Sequence, residues 1–385
     1  MNLGTQEATQ STTFYLALQN CKSLDLRDNR GKKHDMAFIL LGLVIALFHK
    51  RDGVLSSIHR SMVNVHSALC MALGIDNERI ISRSHLPVLL KGVDVTILSN
   101  LIFTHFGLEL SETEKSWFSI DGKELRGTIA TGNTRGEAIV QVVRHQDRQV
   151  LSQGYYNGSK ESEQPVVRSL LQEGNLASQC ISMDALHFNP ATLKLIAESG
   201  GAYIVGIKGN QEEIQEEIKQ LFTLQKPHYV FVEEGKGHGR QEKRSYCCID
   251  VRKEYFHKRW AAAQFTTAIK VVRTRYVLSE QSFSSETSYY MSNKIVSNMG
   301  QANELYKGIR SHWSVEVNNH IRDVSFKEDA LQTKFTEVAH PLSLFRTLII
   351  NILQEKKINN ITKKLEEFMD NFTNLIAFLK DIKFL

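Results

Sequence analysis

The sequence has few of the features that would place it in a class at once. Its five cysteines, Cys21, Cys70, Cys180, Cys247 and Cys248, form no CxxC pair. That spacing argues against a zinc knuckle and gives no basis for a disulfide framework, so Cys247-Cys248 reads as structural and a reducing, cytoplasmic setting fits. Long apolar runs are missing too: the longest, Met36–Phe48, falls well short of the roughly 20 residues that span a bilayer. Met1–Asn20 is polar and has no basic start leading into an apolar core, so no cleavable signal is expected. There is no low-complexity tract, no internal repeat and no G-x-x-x-x-G-K-[ST] phosphate loop. Charge of either sign is scarcely in excess: 47 Lys and Arg against 42 Asp and Glu leave +5, compatible with a polyanionic partner but not diagnostic of one. What remains is an ordinary globular composition, 42% hydrophobic over 385 residues, enough for a large core in two or three domains.

Residues 1–20 read as a loose arm and 21–110 as a small helical domain, in which the basic, turn-rich Arg27–His34 leads into the apolar helix from Met36. The pattern changes near 116. Strand 116–121 is followed by apolar runs at 138–144 and 149–156, joined by the polar His145-Gln146-Asp147-Arg148 in a predicted hairpin. Ser162 caps a helix to about Gln172, ended by Gly174, and strand 180–184 follows. Asn189-Pro190 opens a helix that Gly200-Gly201 stops, before strand 203–207. This order predicts an α/β fold, a mixed sheet flanked by helices. A charged helix over 212–222 leads to a β-rich insertion at about 225–295, and helices resume at Met299, with 353–385 as a helical tail.

Two of the predicted strands end in carboxylates, Asp121 and Asp184. Ligands of open α/β sheets bind beyond the carboxyl ends of the strands; the plain alternative is that each aspartate only caps a turn. Downstream, Glu316 lies in a helical stretch, Ile309–Ile321, whose spacing puts His312, Glu316, Asn319, His320 and Asp323 on one face. That face could be merely solvated, and a His–Glu–His zinc site lacks a fourth ligand. Three carboxylates on rigid elements suit a pair of Mg²⁺ ions, which take hard oxygen donors and keep part of their water shell. Lys123 and Arg126 flank the first aspartate, and Lys208, Asn210 and Gln211 follow another strand end. Such groups meet phosphate oxygens, unless they are ordinary surface charge. The glycine-rich basic segment 235–244, with Lys236, His238 and Arg240, suits a nucleic-acid groove.

Taken together, Ile120–Gly127, Met183-Asp184-Ala185, Lys208–Gln211, Gly235–Arg240, Arg310–Glu316 and Asp323–Ala330 resemble, in order, the DDE transposases of bacterial insertion sequences, in the branch called H-repeat-associated proteins. The resemblance covers roughly residues 24–352. It implies a ribonuclease-H-like catalytic domain over 111–352 with the β-rich insertion, and a DNA-binding role for the helical domain. Asp121, Asp184 and Glu316 match the family's catalytic, metal-holding residues (Mg²⁺, or Mn²⁺). Lys208, Arg310 and His312 match positions near the DNA ends. Transposon ends and target DNA are the implied partners, bound by a homo-oligomer, with no membrane involved. The sequence departs from related branches at Ile309, His312 and Asp323, which stand where those carry tyrosine, arginine and lysine, and at Val317 in place of asparagine. A DNA-binding remnant without transposition, and a ribonuclease-H-like nuclease without strand joining, are the competing readings.

Overall fold

The computed structural model describes residues 12–49, 53–76, 78–108, 115–237 and 239–385. Its strands are β1 (Trp117–Glu124), β2 (Glu137–Arg144), β3 (Val150–Asn157), β4 (Cys180–Met183), β5 (Ala202–Ile207), β6 (Tyr229–Gly237), β7 (Arg240–Asp250), β8 (Thr267–Val277) and β9 (Ser282–Ser292). They make one mixed sheet in the order β3-β2-β1-β4-β5-β9-β8-β7-β6. The β1–β4 and β4–β5 pairs are parallel, and every other pair is antiparallel. The expected β-rich insertion therefore extends the main sheet, because β9 pairs with β5.

The helices are α1 (Phe14–Asn20), α2 (Met36–His49), α3 (Leu55–Leu73), α4 (Leu86–Leu90), α5 (Val95–His105), α6 (Glu163–Gln172), α7 (Pro190–Glu198) and α8 (Glu212–Leu224). After the last strand come α9 (Met299–Ser311), α10 (Ser314–Val324), α11 (Thr336–Glu355), α12 (Ile361–Asp370) and α13 (Phe372–Asp381). One face of the sheet, carrying Phe118, Ile120, Val140 and Ile181, packs on α6 and α7 through Val167, Leu170, Leu193 and Ile196. The opposite face receives α10 and α11, with Val315 against Val143 and Val150, and Ala339 against Ile139. Among the described residues no helix is long and apolar enough to cross a membrane.

The apolar run from Met36 is buried on every side, as a helix with no polar face must be. Around it the N-terminal helices share one core with α11, α12 and α13, so Leu40, Leu348, Phe368 and Phe384 belong to a single cluster. Two expectations need correction. The arm expected over 1–20 contains α1, capped by Thr13 and burying Phe14, Tyr15 and Leu18; its backbone bonds the C-terminal segment at Lys383 and Phe384. Residues 1–11 of that arm lie outside the described residues. The helical stretch expected over 309–321 is two helices, broken at His312-Trp313, where His312 bonds a buried serine on β4.

Where α10 meets α11, Arg322 and Arg346 are both fully buried against Glu328, at 2.8 and 3.4 Å. Burial alone would raise the Glu328 carboxyl, but the two guanidinium groups outweigh it and hold it below its ordinary value. A folded-state pKa below the unfolded one adds stability that is present above the ordinary glutamate value and lost as pH falls through the folded one. Glu328→Ala leaves two buried cations short of an anion and should cost about 3–5 kcal/mol. Urea unfolding across pH 3–8 checks both this loss and its disappearance in acid.

Candidate active site

β1 is a central strand, and its side chains alternate between two covered faces. Phe118 and Ile120 enter the core under α6, while Ser119, Asp121 and Lys123 share the face of α10. The parallel register pairs Ser119 with Ser182 and Ile120 with Met183, so one step further Asp121 lies beside Asp184. Asp184 also caps the turn that follows, its Oδ1 accepting from the Leu186 amide at 2.9 Å. Asp184 therefore caps its turn and lies beside Asp121 at once.

Crowding shows in the charge state of the pair. Burial, then the carboxylates of Glu163 and Asp184, push Asp121 up to about 7. Glu163, in the first turn of α6, sits against the backbone after Asp121: a Cβ at Gly122 would lie 2.1 Å from its Oε2. The glycine of the Ile-Asp-Gly-Lys segment thus lets the Glu163 carboxylate lie where a Cβ would displace it. Glu163 accepts from the Tyr156 hydroxyl at 3.2 Å and stands 2.9 Å from Nε2 of His187, which is wholly buried and 4.0 Å from Asp184. Glu163, Tyr156 and His187 were not singled out in the sequence. The available signals were the glycine after Asp121 and the histidine three residues after Asp184.

One step back along both strands lies a neutral polar cluster. His145 Nε2 is 2.8 Å from Ser119 Oγ and 3.0 Å from Ser182 Oγ, and His312 Nδ1 is 3.1 Å from Ser182 Oγ. Burial lowers His145 to about 3 and His312 to about 4, so both rings are uncharged at neutral pH. Ser119 Oγ is also 3.1 Å from Ser314 Oγ at the start of α10. This cluster fastens the α9–α10 joint to β1 and β4 directly beneath the aspartates.

Glu316 is exposed in the first turn of α10, where a carboxylate is favoured by the helix dipole. The helix buries Ser314, Val315, Asn318 and Arg322, leaving Glu316, Asn319 and Asp323 on another flank. Asp323 reaches Lys123 of β1 at 2.7 Å, so this flank looks toward the strand of Asp121. Asp121 and Asp184 are brought together directly; Glu316 shares their face of the sheet but closes no ligand shell. Among the described residues no three His, Cys, Asp or Glu side chains stand as a ready metal cluster. The donor set nevertheless suits a hard divalent cation: adjacent carboxylates, one raised by burial and by its acidic neighbours, are what such a cation relieves.

The expected DNA contacts divide. Arg126 is largely exposed and Lys208 is exposed, and Arg310 lies 5.4 Å over the half-exposed Trp313 ring. Lys236 and Arg240 sit at the β6–β7 tip, Arg240 3.2 Å from a Glu242 that also meets Arg244, Arg273 and Arg275. His238 lies outside the described residues. Three others bond within the protein. His312 bonds Ser182, Asn210 donates to the Ala185 carbonyl at 2.9 Å while remaining exposed, and Lys123, 8% exposed, is held between Asp323 and Asp329. Strand alternation and tertiary packing, invisible in a linear motif, turn Lys123 and His312 into the protein.

No family model matches the chain. Relatives do. It is 26% identical over 256 residues to the Escherichia coli "H repeat-associated putative transposase YhhI", covering 64% of this chain and 66% of that protein. It is 27% identical over the same length and shares to the Escherichia coli "Putative protein YbfL", and 26% identical over 266 residues to the Escherichia coli O157:H7 "Putative transposase YncI", covering 66% of each. The chain is similar to H-repeat-associated transposases. The matched part spans just under two thirds of these relatives' own lengths.

The raised Asp121 has a measurable consequence. A carboxyl whose folded-state value exceeds its unfolded one is penalised as pH rises between the two, here from about 4 to about 7. In metal-free buffer, stability should fall over that window by on the order of 4 kcal/mol at most. Asp121→Asn should flatten the slope and be more stable than wild type at pH 8. Denaturant midpoints measured with a chelator present, across pH 4–8, check this.

Proposed function

We propose that this protein is a transposase of the DDE type, built on a ribonuclease-H-like core, that cuts and rejoins DNA at the ends of an insertion sequence. The observation that carries the reading is the parallel register setting Asp121 beside Asp184, with Glu316 on the helix over the same face. Similarity to proteins named as transposases supports it.

In this reading Asp121, Asp184 and Glu316 would hold Mg²⁺ or Mn²⁺, which when bound supplies the Lewis acid for attack on a phosphodiester and for the leaving oxygen. The chain's own groups bind and orient. Arg126, Lys208 and Arg310 engage DNA phosphates, joined by Lys236 and Arg240 on the hairpin, with affinity that falls steeply as salt rises. His312 and His145, neutral and bonded to Ser182 and Ser119, keep the floor of the site fixed. The helical region 21–110 adds DNA contacts, and a homo-oligomer assembles on the DNA in the cytoplasm.

Asp121→Asn should cut strand cleavage by on the order of a thousand-fold or more, while DNA binding survives. The assay is nicking of a plasmid carrying the gene with its flanking DNA, with and without Mg²⁺, beside a filter-binding measurement. Full cleavage by the variant removes Asp121 from the mechanism. Cutting without strand-transfer product leaves a nuclease; binding with no cutting by wild type leaves a DNA-binding remnant, the reading that Val317 beside Glu316 favours.

A further inference from the structure

Lys123 has a place no surface cation has. Its ammonium lies 2.7 Å from Asp323 on α10 and 3.4 Å from Asp329 just beyond it, and only 8% of the side chain is exposed. It also donates to its neighbour's carbonyl at Glu124. On β1 it lies two residues past Asp121, on the same face. On α10, Asp323 lies seven residues past Glu316, two turns along the same flank.

A second contact ties the same helix to the same strand: Ser314 Oγ lies 3.1 Å from Ser119 Oγ. The two anchors are consistent in length. From Ser119 to Lys123 the strand advances about 13 Å, and from Ser314 to Asp323 the helix rises about 13 Å. Helix and strand therefore run side by side in one direction. Asp121 lies midway between the strand anchors, and Glu316 falls within about one helical turn of that level. Glu316 itself is exposed, so its place depends on how its helix is held.

We propose that Lys123 is a positioning residue, a latch that pins α10 to β1 through Asp323 and so sets Glu316 over Asp121. This rests on the DDE reading, which supplies the role of Glu316; the ion pair itself does not. The latch differs from a phosphate contact in a way that can be measured. A cation that binds DNA contributes to affinity and to its salt dependence. A cation spent on two carboxylates within the protein contributes to turnover and to the order of the helix.

The test uses the full chain and three variants, Lys123→Met, Lys123→Glu and Lys123→Glu with Asp323→Lys. Lys123→Met should lower Mg²⁺-dependent nicking of the plasmid tenfold or more, with DNA affinity and its salt slope unchanged. Lys123→Glu should lose a hundredfold or more, and adding Asp323→Lys should recover at least tenfold of it, Asp329 being common to both. Weakened binding with a shallower salt slope, or no recovery on charge reversal, overturns the latch in favour of a DNA contact. Hydrogen exchange gives a readout free of catalysis: Lys123→Met should speed exchange of the α10 amides tenfold or more while α11 stays protected, and the charge reversal should restore α10. Unchanged α10 exchange overturns the latch even if wild type cuts no DNA, a result that would separately remove the transposase reading.

Discussion

Two carboxylates that would rather be apart are held side by side by backbone hydrogen bonds. The parallel pairing of β1 with β4 aligns Ser119 with Ser182 and Ile120 with Met183, and the next pair along is Asp121 and Asp184. Bringing like charges together out of water is costly, and the protein meets that cost by keeping Asp121 protonated to about 7. Much around the site follows from this constraint. Gly122 leaves room for Glu163, and His187 stands between Glu163 and Asp184.

The helix that carries Glu316 is fastened beside this pair by polar contacts at both ends, and its middle by Asn318, which donates to the Arg148 carbonyl and accepts from Gln354. Hydroxyls and neutral imidazoles fix its start, and Lys123 with Asp323 fixes its end. Between them Val315 packs on Val143 and Val150, and Arg322 enters the buried network with Glu328 and Arg346. The side of α10 toward β2 and β3 thus supplies stability, and the flank toward β1 carries the exposed acid. Exposed cations lie elsewhere, such as Arg126 and Lys208 and those on the long β6–β7 hairpin.

How much of this was legible beforehand differs by element. Strands β1, β2, β3, β4 and β5 follow the apolar patterns closely, since buried strands leave strong local signals; the insertion was legible as a β-rich segment, its strands β6 and β9 being largely exposed. Asp121 and Asp184 could be singled out because an apolar run stops at each; Asp184 does follow the end of β4, whereas β1 continues past Asp121 to Glu124. Glu163, Tyr156 and His187 could not, because nothing local marks a glutamate in a helix's first turn or a single buried histidine. The break at His312-Trp313 was also hidden. Both residues keep helical backbone angles, and the partner His312 meets there, Ser182, is distant in the chain.

By itself, the sequence determined the kinds of element and their order, because periodicity and turn chemistry act over a few residues. Only the tertiary structure decided which polar groups point outward. Lys123 and His312 read as DNA contacts in the linear motif, yet the alternation of β1 and the packing of α9 and α10 turn them inward to Asp323 and Ser182. The reason is distance along the chain. Lys123 and Asp323 are two hundred residues apart, and no local pattern encodes a partner that arrives only when helix and sheet close on each other.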